Sequence, residues 1–306
     1  MIYKKEKKGN ITIYHVKKDY DDDKLSKVID KKLKKDSIKV IINHDADVFT
    51  EDGALLLRFR KNKLNETDLK EFYDNVINFA LNKTSNRGSA SGSKKKDLYN
   101  NPKIMSNIIG YFDTLAPNHK VKFKQLGKSL PKITVRETRF LAEYPDKFKK
   151  LLPLIKDIDK LYKKYIPENY AKQKKKANQT PFHIADTAFT TVTTNVNYQT
   201  AVHKDKGDDE EGFGNLVVIE QGKYKGGETC FPQYGIGVDV RNRDVLYMDV
   251  HQAHGNLPIE LETEDTKRLS IVCYLRNSIW KQTKGKTKKF MIKHNKTMKN
   301  VKNKVV

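Results

Sequence analysis

Ala188-Phe189-Thr190-Thr191-Val192-Thr193-Thr194-Asn195-Val196-Asn197-Tyr198 marks a change of character in this 306-residue chain. β-branched and aromatic residues crowd the run, and such side chains suit a pleated, half-buried surface better than a helix. Further strand-like runs follow at 215–220, 236–240, 245–250 and 269–275, separated by turns rich in Gly, Asp and Asn. Short strands broken at that rhythm predict an all-β sandwich or jelly roll over the second half of the chain.

Upstream the period lengthens. Leu69, Phe72, Val76, Phe79 and Ala80 recur at helical spacing behind Asn65-Glu66-Thr67-Asp68, and Phe148, Leu151, Leu152, Ile155, Ile158, Leu161 and Tyr162 do the same. These helices are expected to carry packing. Phe49-Thr50-Glu51-Asp52-Gly53 is turn chemistry ahead of a strand over 54–60, which predicts a hairpin. The fold class expected is α+β, a jelly-roll core with supporting N-terminal helices.

Composition narrows the setting. Cys230 and Cys273 are the only cysteines and lie far apart, which fits a reducing, intracellular environment rather than a disulfide scaffold. The first residues are charged where a signal peptide needs an apolar run, and no run approaches the ~20 apolar residues of a membrane span. A soluble protein of nucleus or cytoplasm, in a host cell if viral, is expected. The net charge of +23 would attract DNA or RNA, although the lysine, asparagine and isoleucine bias of AT-rich coding accounts for it equally well. Two basic segments stand out: the polar loop 86–96 (NRGSASGSKKK), simplest as a flexible connector, and 281–306, simplest as a solvated tail or else a loosely helical polyanion-binding arm.

In His203-Lys204-Asp205, alternate residues of an extended chain project to one face, so one metal can take both. A third ligand is supplied by the run 244–256, which reads as a strand ending in histidine, and His254 before Gly255-Asn256 suits the mouth of a sheet better than His251. Two imidazoles and a carboxylate form a facial triad suited to Fe(II) with O2 and a co-substrate. Catalytic zinc uses similar donors, usually at His-Glu-x-x-His spacing, which is missing here. Asp208, Asp209, Glu210 and Glu211 read as a solvated loop.

Arg268 enters an apolar strand in Lys267-Arg268-Leu269-Ser270-Ile271-Val272, where an unpaired charge is costly. The distal carboxylate of 2-oxoglutarate would match its fork of donors, with Ser270 on the same strand face adding a hydrogen bond. An internal acid would satisfy the arginine equally well.

The stretch Asn197-Tyr198-Gln199-Thr200-Ala201-Val202-His203-Lys204-Asp205-Lys206-Gly207-Asp208 resembles the iron motif of the TET/JBP family of nucleobase-oxidising dioxygenases. The segments 52–61, 106–113 and 166–173 look like family segments as well, and 226–234 resembles the hairpin these oxygenases place between ligand segments. The resemblance implies a double-stranded β-helix domain over 45–280 with its metal-binding half at 182–280. A basic segment 1–44 would precede it and a lysine-rich tail 281–306 would follow. It also implies iron at His203, Asp205 and His254, 2-oxoglutarate at Arg268, and Asn195 and Tyr198 lining the co-substrate pocket. Relatives often carry Gly-Asp where this chain has Arg243-Asp244, which bears on turn geometry.

The expected function is Fe(II)/2-oxoglutarate-dependent oxidation of a methyl group on thymine or 5-methylcytosine in DNA. Two alternatives remain: a protein side-chain hydroxylase using the same cofactors, and a non-catalytic basic nucleic-acid-binding protein.

Overall fold

Alternation along the central strands divides the molecule into two cores. Val217, Ile219, Val245, Tyr247, Leu269, Ile271 and Cys273 share one hydrophobic cluster with the helical residues Leu69, Phe72, Val76, Leu151, Ile155 and Ile158. Their strand neighbours Leu216, Val218, Leu246 and Met248 join a second cluster with Phe231, Ile236 and Val238. Side chains of successive strand residues point to opposite faces, so one set of strands lies between a helical layer and a second sheet.

The computed structural model describes residues 1–85, 88–91, 102–115 and 117–303. The chain runs β1 (Ile2–Lys8), β2 (Ile11–Val16), α1 (Asp22–Ser26), β3 (Val40–Ile42), β4 (Ala46–Thr50), β5 (Leu55–Arg60), α2 (Glu66–Ala80) and β6 (Ser106–Phe112). Next come α3 (Pro117–Gln125), β7 (Arg136–Glu137), α4 (Arg139–Glu143), α5 (Pro145–Tyr165), α6 (Pro167–Ala177), β8 (Thr191–Val196) and β9 (Gly214–Gln221). It finishes with β10 (Tyr224–Gly226), β11 (Thr229–Phe231), β12 (Ile236–Val238), β13 (Val245–Met248), β14 (Gly255–Asn256), β15 (Ile259–Leu261), β16 (Lys267–Tyr274), α7 (Asn277–Thr283) and α8 (Lys288–Asn303).

The larger sheet has the order β1-β2-β4-β5-β13-β9-β16-β8-β6-β7, and the facing sheet the order β14-β11-β12-β3. This is the expected α+β architecture, a double-stranded β-helix with α2 and α5 backing the larger sheet. The expected hairpin is β4–β5, paired antiparallel across a turn in which Gly53 takes φ +81. Asn65 caps α2 by accepting from the backbone N–H groups of Thr67 (2.8 Å) and Asp68 (3.3 Å). Arg243 sits at φ +68, a left-handed conformation that favours glycine, and its Nε donates to Leu64 O at 3.1 Å.

Of the basic loop 86–96, residues 86, 87 and 92–96 lie outside the described residues, and Gly88–Ser91 form a single 3-10 turn. Residues 1–44 place β1 and β2 at the edge of the larger sheet and β3 parallel to β12 in the smaller one. The lysine-rich C-terminal stretch differs from a solvated tail. It runs through α7 into α8, whose Phe290 and Met291 pack near Tyr111, Val135, Phe182 and Ile279, while Met298 joins Leu115 and Phe123. Its few apolar residues recur at helical spacing, which the lysine count obscured. No described helix is long and apolar enough to cross a membrane.

Candidate metal and co-substrate site

His203 and His254 come from separate loops that meet as an isolated antiparallel bridge. The His203 N–H donates to His254 O and the His254 N–H to His203 O, both at 2.9 Å, and the Asp205 N–H donates to Val250 O at 2.9 Å. Backbone pairing therefore fixes the spacing of the three side chains. The Nδ1 of His203 lies 2.9 Å from Ala201 O, and that of His254 lies 2.9 Å from Gln252 O. A carbonyl only accepts, so each Nδ1 must carry the proton, and neutral imidazole then keeps its lone pair on Nε2. Those Nε2 atoms stand 3.4 Å and 3.7 Å from the two Asp205 oxygens. The three donor atoms all lie within 4.8 Å of one another, and no other such group of His, Cys, Asp or Glu occurs among the described residues. Backbone acceptors on metal-binding histidines orient the rings and raise their basicity.

His251 is turned away from this cluster. Its Nε2 lies 3.1 Å from Asp209 O. The acidic run after the motif is less solvated than its composition suggests: Asp208 and Asp209 are buried, and Lys176 bridges Asp209 and Glu211. Burial forces such carboxylates to find partners, and Lys176 from α6 provides one.

An inner cavity of about 60 Å³ opens behind the triad, lined in part by Asn195, Tyr198, His203, Asp205, His254, Arg268 and Ser270. All of the expected site residues therefore face one space. Arg268 is 4% exposed. Its Nη2 donates to Gly227 O at 2.9 Å, and its guanidinium stands 5.8 Å from the Tyr224 ring centre, whose hydroxyl burial holds well above the ordinary tyrosine range. No described group accepts from its Nε. Nor does any carboxylate pair with it among the described residues, so the internal-acid alternative finds no support. A buried guanidinium donor without an acceptor costs free energy unless an anion answers it. Asn195 Nδ2 lies 3.4 Å from Ser270 Oγ, and the Tyr198 hydroxyl donates to Ala90 O at 2.8 Å.

Gly227, in the hairpin-like stretch 226–234, is a residue that sequence reasoning did not single out. It adopts φ +77, and a Cβ there would stand 2.9 Å from Arg268 Nε. Only glycine lets the backbone lie against the guanidinium and offer its carbonyl.

A second cavity of about 260 Å³ shares His203, Asp205 and Val272 with the first and is lined further by Ser106, Ile108, Phe112, Asp208, Tyr274 and Arg276. Arg276 packs against the Phe112 ring at 4.6 Å, and its Nε stands 3.0 Å from Asp113 Oδ1. Sequence reasoning missed this cavity. One available signal was that Arg268, Ser270, Val272 and Tyr274 share the parity that brings Arg268 to the site.

The Tet_JBP family model, described as the oxygenase domain of the 2OGFeDO superfamily, matches residues 125–277. The chain belongs to this family. Its cofactors are Fe(II) and 2-oxoglutarate, and the residues present suit both: two imidazoles and a carboxylate for the ion, an unanswered buried guanidinium for the keto acid. The chain is 30% identical over 189 residues to thymine dioxygenase JBP1 of Crithidia fasciculata, covering 61% of this chain and 22% of that protein. It is 31% identical over 206 residues to the bifunctional helicase and thymine dioxygenase JBP2 of Leishmania braziliensis, covering 67% and 17%. The chain thus spans about a fifth of the length of the curated relatives it matches. Among solved structures it is similar to NgTET1 in complex with 5mC DNA, at 15% identity and a TM-score of 0.49, covering 92% of this chain and 90% of that one.

Proposed function

We propose that this chain is an Fe(II)- and 2-oxoglutarate-dependent dioxygenase that oxidises the methyl group of a base in DNA, with thymine favoured over 5-methylcytosine. The observation that carries the reading is the convergence of His203, Asp205 and His254 on one side of a cavity whose other side is closed by Arg268, a buried donor with an unanswered Nε. The preference for thymine rests on the relatives of about 30% identity, which are named thymine dioxygenases.

In this reading His203, Asp205 and His254 hold the ion. Arg268 binds the distal carboxylate of 2-oxoglutarate through its fork of donors, with Gly227 O fixing the guanidinium from behind. Ser270 and Asn195 offer hydrogen bonds along the same wall, and Tyr198 closes the cavity near Ala90. When bound, iron supplies the activation of dioxygen. The overall reaction places one oxygen atom on the methyl group and the other in succinate, with release of carbon dioxide. The larger second cavity, which shares His203 and Asp205, would receive the base. A base reaches such a pocket only by extrusion from the duplex or on an unpaired strand. With DNA as the substrate, the enzyme would act in a nucleus or in cytoplasm where DNA is accessible.

Incubation with Fe(II), 2-oxoglutarate and thymine-containing or 5-methylcytosine-containing DNA, then digestion to nucleosides, tests the reading. Hydroxymethylated nucleoside formed in step with succinate is the expected result. Succinate without any altered nucleoside, alongside a mass gain of one oxygen on a peptide or lysate protein, would replace DNA by a protein substrate.

A further inference from the structure

The lysines of this chain fall into two populations. The α2, α5 and α6 surfaces carry acids among their lysines, and some of those lysines pair locally, Lys70 with Asp74, Lys149 with Asp146, Lys160 with Asp157, Lys172 with Glu211 and Lys174 with Asp186, while Lys147, Lys150, Lys156, Lys163, Lys164 and Lys175 make no ion pair among the described residues. The second population lies on α3, the loop that follows it, and α8. Residues 117–135 and 277–303 contain no Asp or Glu at all. Exposed Lys120, Lys124, Lys128 and Lys132 on the first stretch, and Lys288, Lys289, Lys293, Lys296 and Lys299 on the second, make no ion pair among the described residues.

These two stretches form one unit. Leu115 and Phe123 pack with Met298, and His294 Nε2 donates to Val135 O at 2.7 Å. The helix α8 turns Phe290, Met291, His294 and Met298 inward, which leaves Lys289, Lys293, Lys296 and Lys299 on the opposite face. The unit is anchored beside the larger cavity: β6 contributes Ser106, Ile108 and Phe112 to that cavity, and Thr134 Oγ1 donates to Asp113 O at 2.6 Å. Glu137, an acid at the unit's base, is bonded by Asn295 and lies within the field of Lys299.

We infer that α3 and α8 form a phosphate-backbone docking surface that holds a DNA strand at the lip of the larger cavity. Nine exposed lysines without an ion pair, seven on two packed helices and two on the loop between β7 and the first of them, repel one another, and a polyanion relieves that repulsion while releasing its own counterions. Lysine rather than arginine fits such a role, because contacts to phosphate position a duplex without reading its sequence. The inference deepens the proposed function and rests on its substrate being a nucleic acid.

The test uses the full chain and a fluorescent DNA duplex, with anisotropy followed over a salt series and no 2-oxoglutarate present, so that binding is read apart from turnover. A variant carrying K124Q, K289Q, K293Q and K296Q should bind at least tenfold more weakly at low salt. Its log–log salt slope should fall by about 3 to 4, since each phosphate contact contributes roughly 0.9. The matching four-arginine variant should keep the wild-type slope, and K70Q, K149Q, K160Q and K172Q together should leave it nearly unchanged. An unchanged slope in the first variant, an equal drop in the control set, or tighter binding to phosphatidylserine vesicles than to DNA would each overturn the proposal. Separately, a wild type that binds DNA through this surface but leaves every nucleoside unaltered would remove the proposed reaction and keep the docking surface.

Discussion

The two faces of β16 carry opposite kinds of residue. Leu269, Ile271 and Cys273 point into the helix-backed core and are fully buried among aliphatic and aromatic neighbours. Arg268, Ser270, Val272 and Tyr274 alternate with them and face the two cavities that meet at the triad. One face gains free energy by leaving water, at roughly 1.5–3 kcal/mol for each large aliphatic side chain. The other holds a guanidinium donor without an acceptor, which costs free energy. A strand can therefore support an unfavourable polar arrangement on one side because the other side is packed against α2 and α5. The register between them cannot slip, since a shift of one residue would exchange the two faces.

The largest effect should come from the cavity side, where Asp205→Ala removes a carboxylate that stands 3.4 and 3.7 Å from the two imidazoles. Succinate formation should fall below detection with the thermal midpoint near that of wild type, because Asp205 is partly exposed and its loss leaves the core intact. A variant that still couples 2-oxoglutarate to succinate at a tenth of the wild-type rate would show that the three donors do not act as one site. The packed side should answer in the other currency. Leu269→Ala is expected to lower stability by about 2–5 kcal/mol, as for other fully buried leucines, while the KM for 2-oxoglutarate stays within a factor of two. Denaturant unfolding and steady-state kinetics on the same preparation separate the two faces.

How much of this was readable in advance follows from the same alternation. The strand runs at 215–220, 245–250 and 269–275 were legible because β-branched, aliphatic and aromatic residues are concentrated in them, and the structure places β9, β13 and β16 there. His203, Asp205 and His254 were legible because a metal site writes residue types that packing does not require. The larger cavity was not legible. Its lining draws on β6, β16 and the turn after it, and Ser106, Phe112 and Arg276 each have ordinary local explanations until the strands pair. The packing of the helix at 288–303, where the sequence offered a loosely helical arm only as the second reading, was obscured for a related reason: its buried stripe is only Phe290, Met291, His294 and Met298, set among six lysines. Asp208 and Asp209 were misread as solvated because Lys176, which answers Asp209, lies 33 residues upstream.

A milder change on the cavity face tests geometry rather than charge. Arg268→Lys keeps the positive charge but replaces a planar fork, one arm of which is fixed by Gly227 O, with a single ammonium. Loss of one charge-assisted hydrogen bond is worth about 2 kcal/mol, so the KM for 2-oxoglutarate should rise roughly thirtyfold. The kcat should change little once the co-substrate is saturating. An unchanged KM would mean that the carboxylate is held elsewhere and that the unanswered Nε serves another anion.

The smallest effect belongs to Ser270. Its Oγ lies 3.4 Å from Asn195 Nδ2 on the adjacent strand, in register with it across the β16–β8 ladder. Ser270→Ala deletes one neutral hydrogen-bonding group, worth about 1 kcal/mol or roughly fivefold in the KM for 2-oxoglutarate. That figure alone does not say whether the hydroxyl meets the co-substrate or only steadies Asn195. A double-mutant cycle with Asn195→Ala distinguishes them. If both groups contact the co-substrate independently, the two increments add. If Ser270 acts through Asn195, its effect disappears in the Asn195→Ala background, and the polar side of β16 would then contain a single direct co-substrate contact, Arg268.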